Sequence, residues 1–253
     1  MRIKNFTSLA FAVLVTQVAS ADASNTLTAE EKAAGWRLLW DGKTTDGWRS
    51  VKAEIFPASG WVIKDGVLTV LGKRGQEAAG PGDIITRERF SEFELVADFK
   101  ITPGANSGIK YFVQLDPVAG TGAKAATGSA IGCEYQILDD VRHPDAKLGR
   151  DGNRTLGSLY DLIPAAADKK PNPIGEWNTA RIVVRGSQVE HWLNGAKVVE
   201  YDRGSQGFRD LVAQSKFKSI PGFSEWRDGH ILLQAHGTEV SFRNLKIRAL
   251  GDK

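Results

Sequence analysis

Apolar and polar residues alternate with a period of two along much of this chain, the spacing of strands buried on one face only. Over 94–101, Leu95, Ala97, Phe99 and Ile101 share a face, and over 108–115, Ile109, Tyr111, Val113 and Leu115 do the same. The same reading predicts strands over 180–185, 231–236 and 240–248. Two tight hairpins are expected, one where Asp65-Gly66 separates Trp61-Val62-Ile63 from Val67-Leu68-Thr69-Val70, the other where Asn194-Gly195 separates 189–193 from 196–201. Those dipeptides accept the left-handed backbone of a two-residue turn. Helical spacing is confined to two places. Thr28-Ala-Glu-Glu31 is a capping box, with Gly35 placed to end the helix it starts. Phe208, Leu211, Val212 and Ser215 line one side of a helix over 208–216. Many short strands with no regular helices between them predict an all-β, two-sheet antiparallel sandwich with short peripheral helices.

In the segment 132–139 the alternation carries chemistry. Cys133, Tyr135 and Ile137 leave a strand on one side, Glu134 and Gln136 on the other, and Asp139, Asp140 and His143 follow where the strand should end. A carboxylate and an amide held at that spacing either form a rigid polar wall that can bind or catalyse, or simply face solvent. The preceding segment, 117–130, shows neither period, and its Gly, Ala and Thr content predicts a mobile loop beside the polar strand.

Arg2 and Lys4 precede an apolar run over 6–18, and Ala19-Ser20-Ala21 is a small-x-small cleavage pattern. Residues 1–21 therefore read as a signal peptide, 22–34 as a linker with a short helix, and 35–253 as one domain. The apolar run is short for a bilayer, and no later segment reaches membrane-spanning length, so the expected product is soluble and periplasmic or secreted. Cys133 is the single cysteine, which excludes an intrachain disulfide and leaves stability to the core. The net charge of +3 falls to +1 once Arg2 and Lys4 are removed. That balance gives no basis for nucleic-acid or anionic-membrane partners.

A series of peptides runs through the chain in order: Leu39-Trp-Asp-Gly-Lys-Thr44 with Asp46-Gly-Trp48, Asn106-Ser-Gly-Ile109, the 132–139 segment, Gly157-Ser-Leu-Tyr160, Gly175-Glu-Trp-Asn178, Trp192-Leu-Asn-Gly195, Leu233-Gln-Ala-His236 and Phe242-Arg-Asn244. In order and spacing they resemble the 3-keto-disaccharide hydrolase domain family, over about 35–248. The resemblance implies a jelly roll of the concanavalin A-like lectin/glucanase type, an exported location, and action on glycosides or disaccharides already oxidised at C3. A sugar 3-oxidoreductase would then act upstream. A C3 ketone acidifies the C2 hydrogen, so a base can form an enediolate and the C1 substituent can depart by β-elimination. Hydration of the resulting glycal makes the outcome equivalent to hydrolysis. Such a site needs a base near C2, a proton donor for the departing oxygen, and positive charge or donors at the C3 oxygen.

Glu134 or a nearby histidine suits the base; otherwise Glu134 is a solvent-facing strand carboxylate. Gln136 can orient sugar hydroxyls or be an ordinary exposed amide. Asp139 can bind hydroxyls or a metal, or cap the turn that follows it. His143 and His236 are favoured over His191 as functional, because His191 shares its face with Val189 and Leu193 and reads as core. Glu134, Asp139, His143 and His236 are donor types that suit a divalent ion, which would stabilise an enediolate, although their spacing forms no local metal motif. Lys110 lies opposite the apolar set of its strand, with Phe112 and Gln114, and stabilises an oxyanion if its face adjoins that of Glu134; otherwise it is solvated. Tyr160 can donate a proton or stack on a sugar, or lie at a rim. Asn106, Arg154, Gln234 and, from the 219–229 loop, Trp226 complete the candidate substrate contacts, with Arg154 equally readable as solvent-facing. The remaining tryptophans read as core or turn anchors. Two other functions fit the same residues: a lectin-like sugar-binding module, and a glycosidase with paired carboxylates, for which Glu134 and Asp139 are the nearby pair.

Overall fold

The computed structural model describes residues 24–72, 82–115 and 130–251. The expected leader at 1–21, and all of the 117–130 loop except Ala130, lie outside the described residues. Within them the strands are β1 (Arg37–Leu38), β2 (Trp48–Ser50), β3 (Trp61–Lys64), β4 (Val67–Val70), β5 (Ile84–Thr86), β6 (Phe93–Ile101), β7 (Asn106–Leu115), β8 (Ala130–Leu138), β9 (Asn178–Arg185), β10 (Gln188–Leu193), β11 (Ala196–Asp202), β12 (His230–Leu233) and β13 (Val240–Ala249). The helices are α1 (Ala29–Ala33) and α2 (Gln206–Ala213). One sheet has the order β11-β10-β9-β6-β13-β4-β3, with β1 also on β13; the other has the order β2-β5-β12-β7-β8. The described pairings are antiparallel, and the two sheets make the sandwich that the alternation predicts, a jelly roll as the resemblance implies.

The core lies between the sheets and is built by the period-two positions. Leu95, Ala97, Phe99 and Ile101 of β6 face Ile109 and Tyr111 of β7 and Cys133, Tyr135 and Ile137 of β8 in one apolar cluster. Each large side chain buried there stabilises by about 1.5–3 kcal/mol. Asp65 and Gly66 take φ values of +50° and +72°, Asn194 and Gly195 +49° and +82°, so both hairpins close as two-residue turns. Thr28 caps α1 in the reciprocal box with Glu31. Asn25 and Asn244 clasp each other: Asn25 N donates to Asn244 Oδ1 at 2.6 Å, and Asn244 N to Asn25 Oδ1 at 2.8 Å. The segment before α1 is thereby tied to β13, the last described strand, which runs in the interior of the larger sheet between β6 on one side and β1 and β4 on the other.

Three expectations about the elements are corrected. The alternation of 108–115 breaks at a bulge: Tyr111 pairs with Cys133, but the next paired residue is Gln114, opposite Ile131. Phe112, at φ +54°, supplies the extra residue. An extra residue reverses the faces beyond it, so Phe112 joins Tyr111 in the main core while Val113 turns to the other side with Ile85, Ala130 and Leu232. Gly132 lies opposite the bulge, where a Cβ would come within 2.5 Å of the Tyr111 carbonyl oxygen. The second helix, read over 208–216, ends at Ala213, and the Ser215 hydroxyl bonds back to the Val212 carbonyl. Lys216 consequently stands outside the helix. The strand read over 231–236 ends at Leu233, and Ala235 N turns to Asp83 Oδ1 at 2.9 Å.

Candidate functional site

Pairing of β7 with β8 sets Lys110 opposite Glu134 and Gly108 opposite Gln136. Their polar side chains leave the face of the smaller sheet that points away from the core. Glu134 needs the glycine beside it: a Cβ on Gly108 would come 2.2 Å from Glu134 Oε1. β12 runs on the other side of β7, and Gln234 N donates to the Gly108 carbonyl at 3.0 Å, which brings Gln234 and His236 to the same surface. Beyond β8 the chain folds back along that strand's edge. Gln136 N donates to Ser158 O at 3.1 Å, and Tyr160 N to Glu134 O at 3.0 Å, so Tyr160 is fixed beside Glu134.

These elements enclose a cavity of about 360 Å³ lined by Asn106, Lys110, Glu134, Gln136, Tyr160, Lys216, Phe217, Gln234 and His236, with Ala130, Ile131 and Gly132 at its floor. That volume is in the range of small-molecule sites. Its chemistry centres on Glu134, which is buried and lies 3.9 Å from Lys110 Nζ. Burial pushes the Glu134 carboxyl above its usual range, while the ammonium groups of Lys110 and Lys216 pull it back in part. Two buried polar atoms of the lining residues, Gln136 Oε1 and His236 Nδ1, have no hydrogen-bond partner among the described residues. Unmet buried polar atoms are costly in a finished interior. Gln136 Nε2 is turned toward Asn106 Oδ1 at 3.5 Å.

Lys216 and Phe217 escape the sequence reading: Lys216 falls at the end of the helix read over 208–216, off its apolar stripe, and Phe217 lies just beyond it. The backbone N–H of Lys216 is held by Asp161 Oδ2 at 2.8 Å, and its Nζ sits 4.0 Å over the Tyr160 ring. Burial pulls its ammonium below the usual lysine range. Phe217 stacks on Phe223 at 4.2 Å between centroids and closes the apolar side of the wall. No local pattern flags Lys216; its place depends on the return of the chain after α2.

Several candidates lie elsewhere. Asp139 does not line the cavity and takes its turn-capping role: it accepts from Gly104 N, Val141 N, Arg142 N and Arg142 Nη1 at 2.8–3.2 Å. Burial alone would raise its carboxyl, but these donors together hold it below the usual range. His143 stands behind the wall, its Nδ1 accepting from Asp145 N at 3.2 Å and its ring meeting His236 edge-on at 6.4 Å. Arg154 is neither in the cavity nor solvated. It bridges Asp161 Oδ1 at 2.8 Å and Asp145 Oδ1 at 2.9 Å, and so braces the groups behind Tyr160. Trp226 packs edge-on against Phe223 and belongs to the core margin, since its loop folds under α2 rather than over the cavity. Tyr160 does line the cavity, but its hydroxyl donates to Asp145 Oδ2 at 2.8 Å, so it presents its ring rather than a free proton. His191 is a core residue, between Tyr111 OH at 2.8 Å and Gly157 O at 3.0 Å.

A divalent ion would need Glu134, Asp139, His143 and His236 to converge, and they do not. Both Asp139 oxygens are engaged by donors, and among the described residues no group of three or more His, Cys, Asp or Glu side chains forms a ligand set. The same placement removes Asp139 as the second carboxylate of a glycosidase pair and leaves Glu134 as the one carboxylate lining the cavity among the described residues.

The chain is similar to known proteins over nearly all of this fold. A "3-keto-disaccharide hydrolase" of Bacteroides thetaiotaomicron is 36% identical over 241 residues, an alignment covering 86% of this chain and 79% of that protein. The solved structure of a candidate glycosyl hydrolase from Parabacteroides distasonis superposes with a TM-score of 0.75 at 31% identity, covering 90% of this chain and 100% of that one. A second structure from that organism, also of a candidate glycosyl hydrolase, gives a TM-score of 0.59 at 27% identity, covering 85% and 99%. The model of the 3-keto-alpha-glucoside-1,2-lyase-like domain matches residues 35–248, and the chain belongs to that family.

Proposed function

We propose that this protein is a carbohydrate-active enzyme that cleaves 3-keto-glycosides by removing the C2 proton, eliminating the C1 substituent and hydrating the product. Family membership and the name of the 36% identical relative support the substrate class. One observation carries the chemistry: a buried carboxylate, Glu134, raised by burial and set 3.9 Å from Lys110, in a cavity it lines together with Lys216, Gln136 and His236. A base of raised pKa is better matched to carbon acid chemistry near neutrality than an ordinary carboxylate. In this reading Glu134 takes the C2 proton, and Lys110 donates to the C3 oxygen as charge develops there. His236 holds the proton for the departing oxygen, while Gln136, Asn106 and Gln234 bind sugar hydroxyls.

The test is incubation with a 3-keto-glucoside and with its unoxidised parent, following aglycone and glycal. Release from the ketone alone is expected, and Glu134→Gln should lower it by about 10²–10⁴-fold, the usual contribution of a positioned base. Equal release from both sugars would refute the elimination, and binding without release would leave a sugar-binding module. We also propose that the protein is exported after cleavage behind Ala21 and that a sugar 3-oxidoreductase supplies its substrate. N-terminal sequencing of the periplasmic or secreted protein checks the first point.

A further inference from the structure

The lysines around the cavity differ in their partners. Lys110 has Glu134 at 3.9 Å, and Lys169, behind the wall, has Asp140 at 2.8 Å. Lys216 has no carboxylate within ion-pair distance among the described residues; its Nζ faces the Tyr160 ring at 4.0 Å and the cavity. The groups that act on it electrostatically are Glu134 and Asp161, which favour the ammonium, and Lys110 and Arg154, which oppose it. Its position is nonetheless held firmly. The backbone of Lys216 hangs on Asp161, Asp161 on Arg154, Arg154 on Asp145, and Asp145 on the hydroxyl of the tyrosine beneath the amine. A closed circuit of that kind fixes an amine without neutralising it with a carboxylate. Desolvated lysines without a counter-ion are the ones that lose their proton readily and add to carbonyl carbon.

The substrate class proposed above brings a ketone into this cavity, and the inference rests on that reading. We propose that Lys216 is a catalytic residue that forms a Schiff base with the C3 carbonyl of the sugar. The neutral amine adds to C3 through its lone pair, and the carbonyl oxygen, taking one proton from the added amine and one from Lys110, leaves as water to give an iminium ion. Glu134 then takes the C2 proton, and the C2–H electrons form an enamine. The enamine expels the C1 oxygen, which takes a proton from His236, and restores the iminium in conjugation with a C1–C2 double bond. One water hydrolyses the iminium, returning the amine and the 3-keto-glycal; the proton this releases restores Lys110 and the one on Glu134 restores His236, so that neither water nor protons are gained or lost before the hydration of the glycal. The positive nitrogen is the electron sink, which lets a single carboxylate suffice as base.

Reductive trapping tests the assignment on the folded wild-type chain. The protein is incubated with a 3-keto-glucoside and sodium cyanoborohydride, aglycone release is followed, and intact mass and peptide mapping locate any adduct. Expected are time-dependent inactivation that needs both reagents and an adduct on the Lys216 peptide: either the whole substrate less one oxygen atom, or the sugar remnant left after the aglycone departs. Lys216→Arg keeps the positive charge but cannot form the imine. It should lose about 10³-fold or more in kcat, the scale seen when a nucleophile is removed, and should show no adduct. Undiminished turnover without an adduct overturns the Schiff base while leaving the elimination intact, as does a Lys216→Arg enzyme within about tenfold of wild type. An adduct on Lys110 overturns the choice of lysine. Neither release nor adduct refutes both this inference and the elimination on which it rests.

Discussion

Replacing Gly108 with alanine isolates the positioning of Glu134 from the folding of the sheet. The new Cβ would come 2.2 Å from Glu134 Oε1 and 2.9 Å from Cδ, whereas such atoms rest at about 3.5 Å. Glu134 must therefore retreat by more than about 1 Å, and a displacement of that size at a reacting group costs roughly 10²-fold in rate, or about 2.7 kcal/mol of barrier. Gly108 is not among the glycines of positive φ, so alanine is free of backbone strain there. The atoms in the way belong to the far end of a side chain that borders a cavity. Stability should accordingly change by less than about 1 kcal/mol, because the entropy gained by removing a glycine offsets part of the crowding. Aglycone release gives kcat/KM, and urea unfolding gives stability. A variant that keeps activity within about threefold would refute the claim that Gly108 exists to seat this carboxylate, and one that loses activity and fold together would make the effect structural.

Three further outcomes are expected. Since burial raises the Glu134 carboxyl and Lys110 partly lowers it, the acid limb of the kcat/KM pH profile should lie above the ordinary glutamate value of 4.5 and move higher still in Lys110→Met; a limb that stays fixed would remove Lys110 from the site's electrostatics. Burial pulls His191 down from 6.5 to about 4, so the unfolded chain binds the extra proton first as pH falls. At 1.36 kcal/mol per tenfold change, about 3 kcal/mol of stability, present above pH 6.5, should be lost between about 6.5 and 4. An NMR titration in which the His191 imidazole has a midpoint near 6.5 would exclude this. Tyr111→Phe strands His191 Nε2 and removes the 2.8 Å partner of Tyr201 OH, and should lower the unfolding free energy by about 1–3 kcal/mol in a urea titration.

Much of the frame was legible because the period-two pattern is enforced by burial. Leu95, Ala97, Phe99 and Ile101 occupy one face because the other face is partly wet, and both hairpin dipeptides sit where only left-handed residues fit. The pattern around Glu134 and Gln136 was readable for the same reason: Cys133, Tyr135 and Ile137 fix the core side. The bulge at Phe112 was not readable, since an extra aromatic residue in an apolar strand leaves the composition unchanged while reversing every face beyond it. Residue type misled at Asp139, Arg154 and Trp226, whose chemistry suits a sugar site equally well as it suits a turn, a brace and a packing edge. Lys216 reaches the cavity only through tertiary placement, and nothing local to it in the chain encodes that.

β13 gives this fold an order of assembly. It is the last of the described strands in chain order, yet it lies between β6 and the pair β1 and β4, and the Asn25–Asn244 clasp joins residues 219 positions apart. While the chain emerges from the ribosome, β6 and β4 present unpaired edges, the exposed state in which strands join the wrong partner. The larger sheet cannot close until β13 has been made, so a chain cut short before that strand loses the middle of the sheet and not its margin. Closure waits on a strand that lies inside the sheet, and a chaperone that keeps the chain open until then protects the step on which the whole sandwich depends.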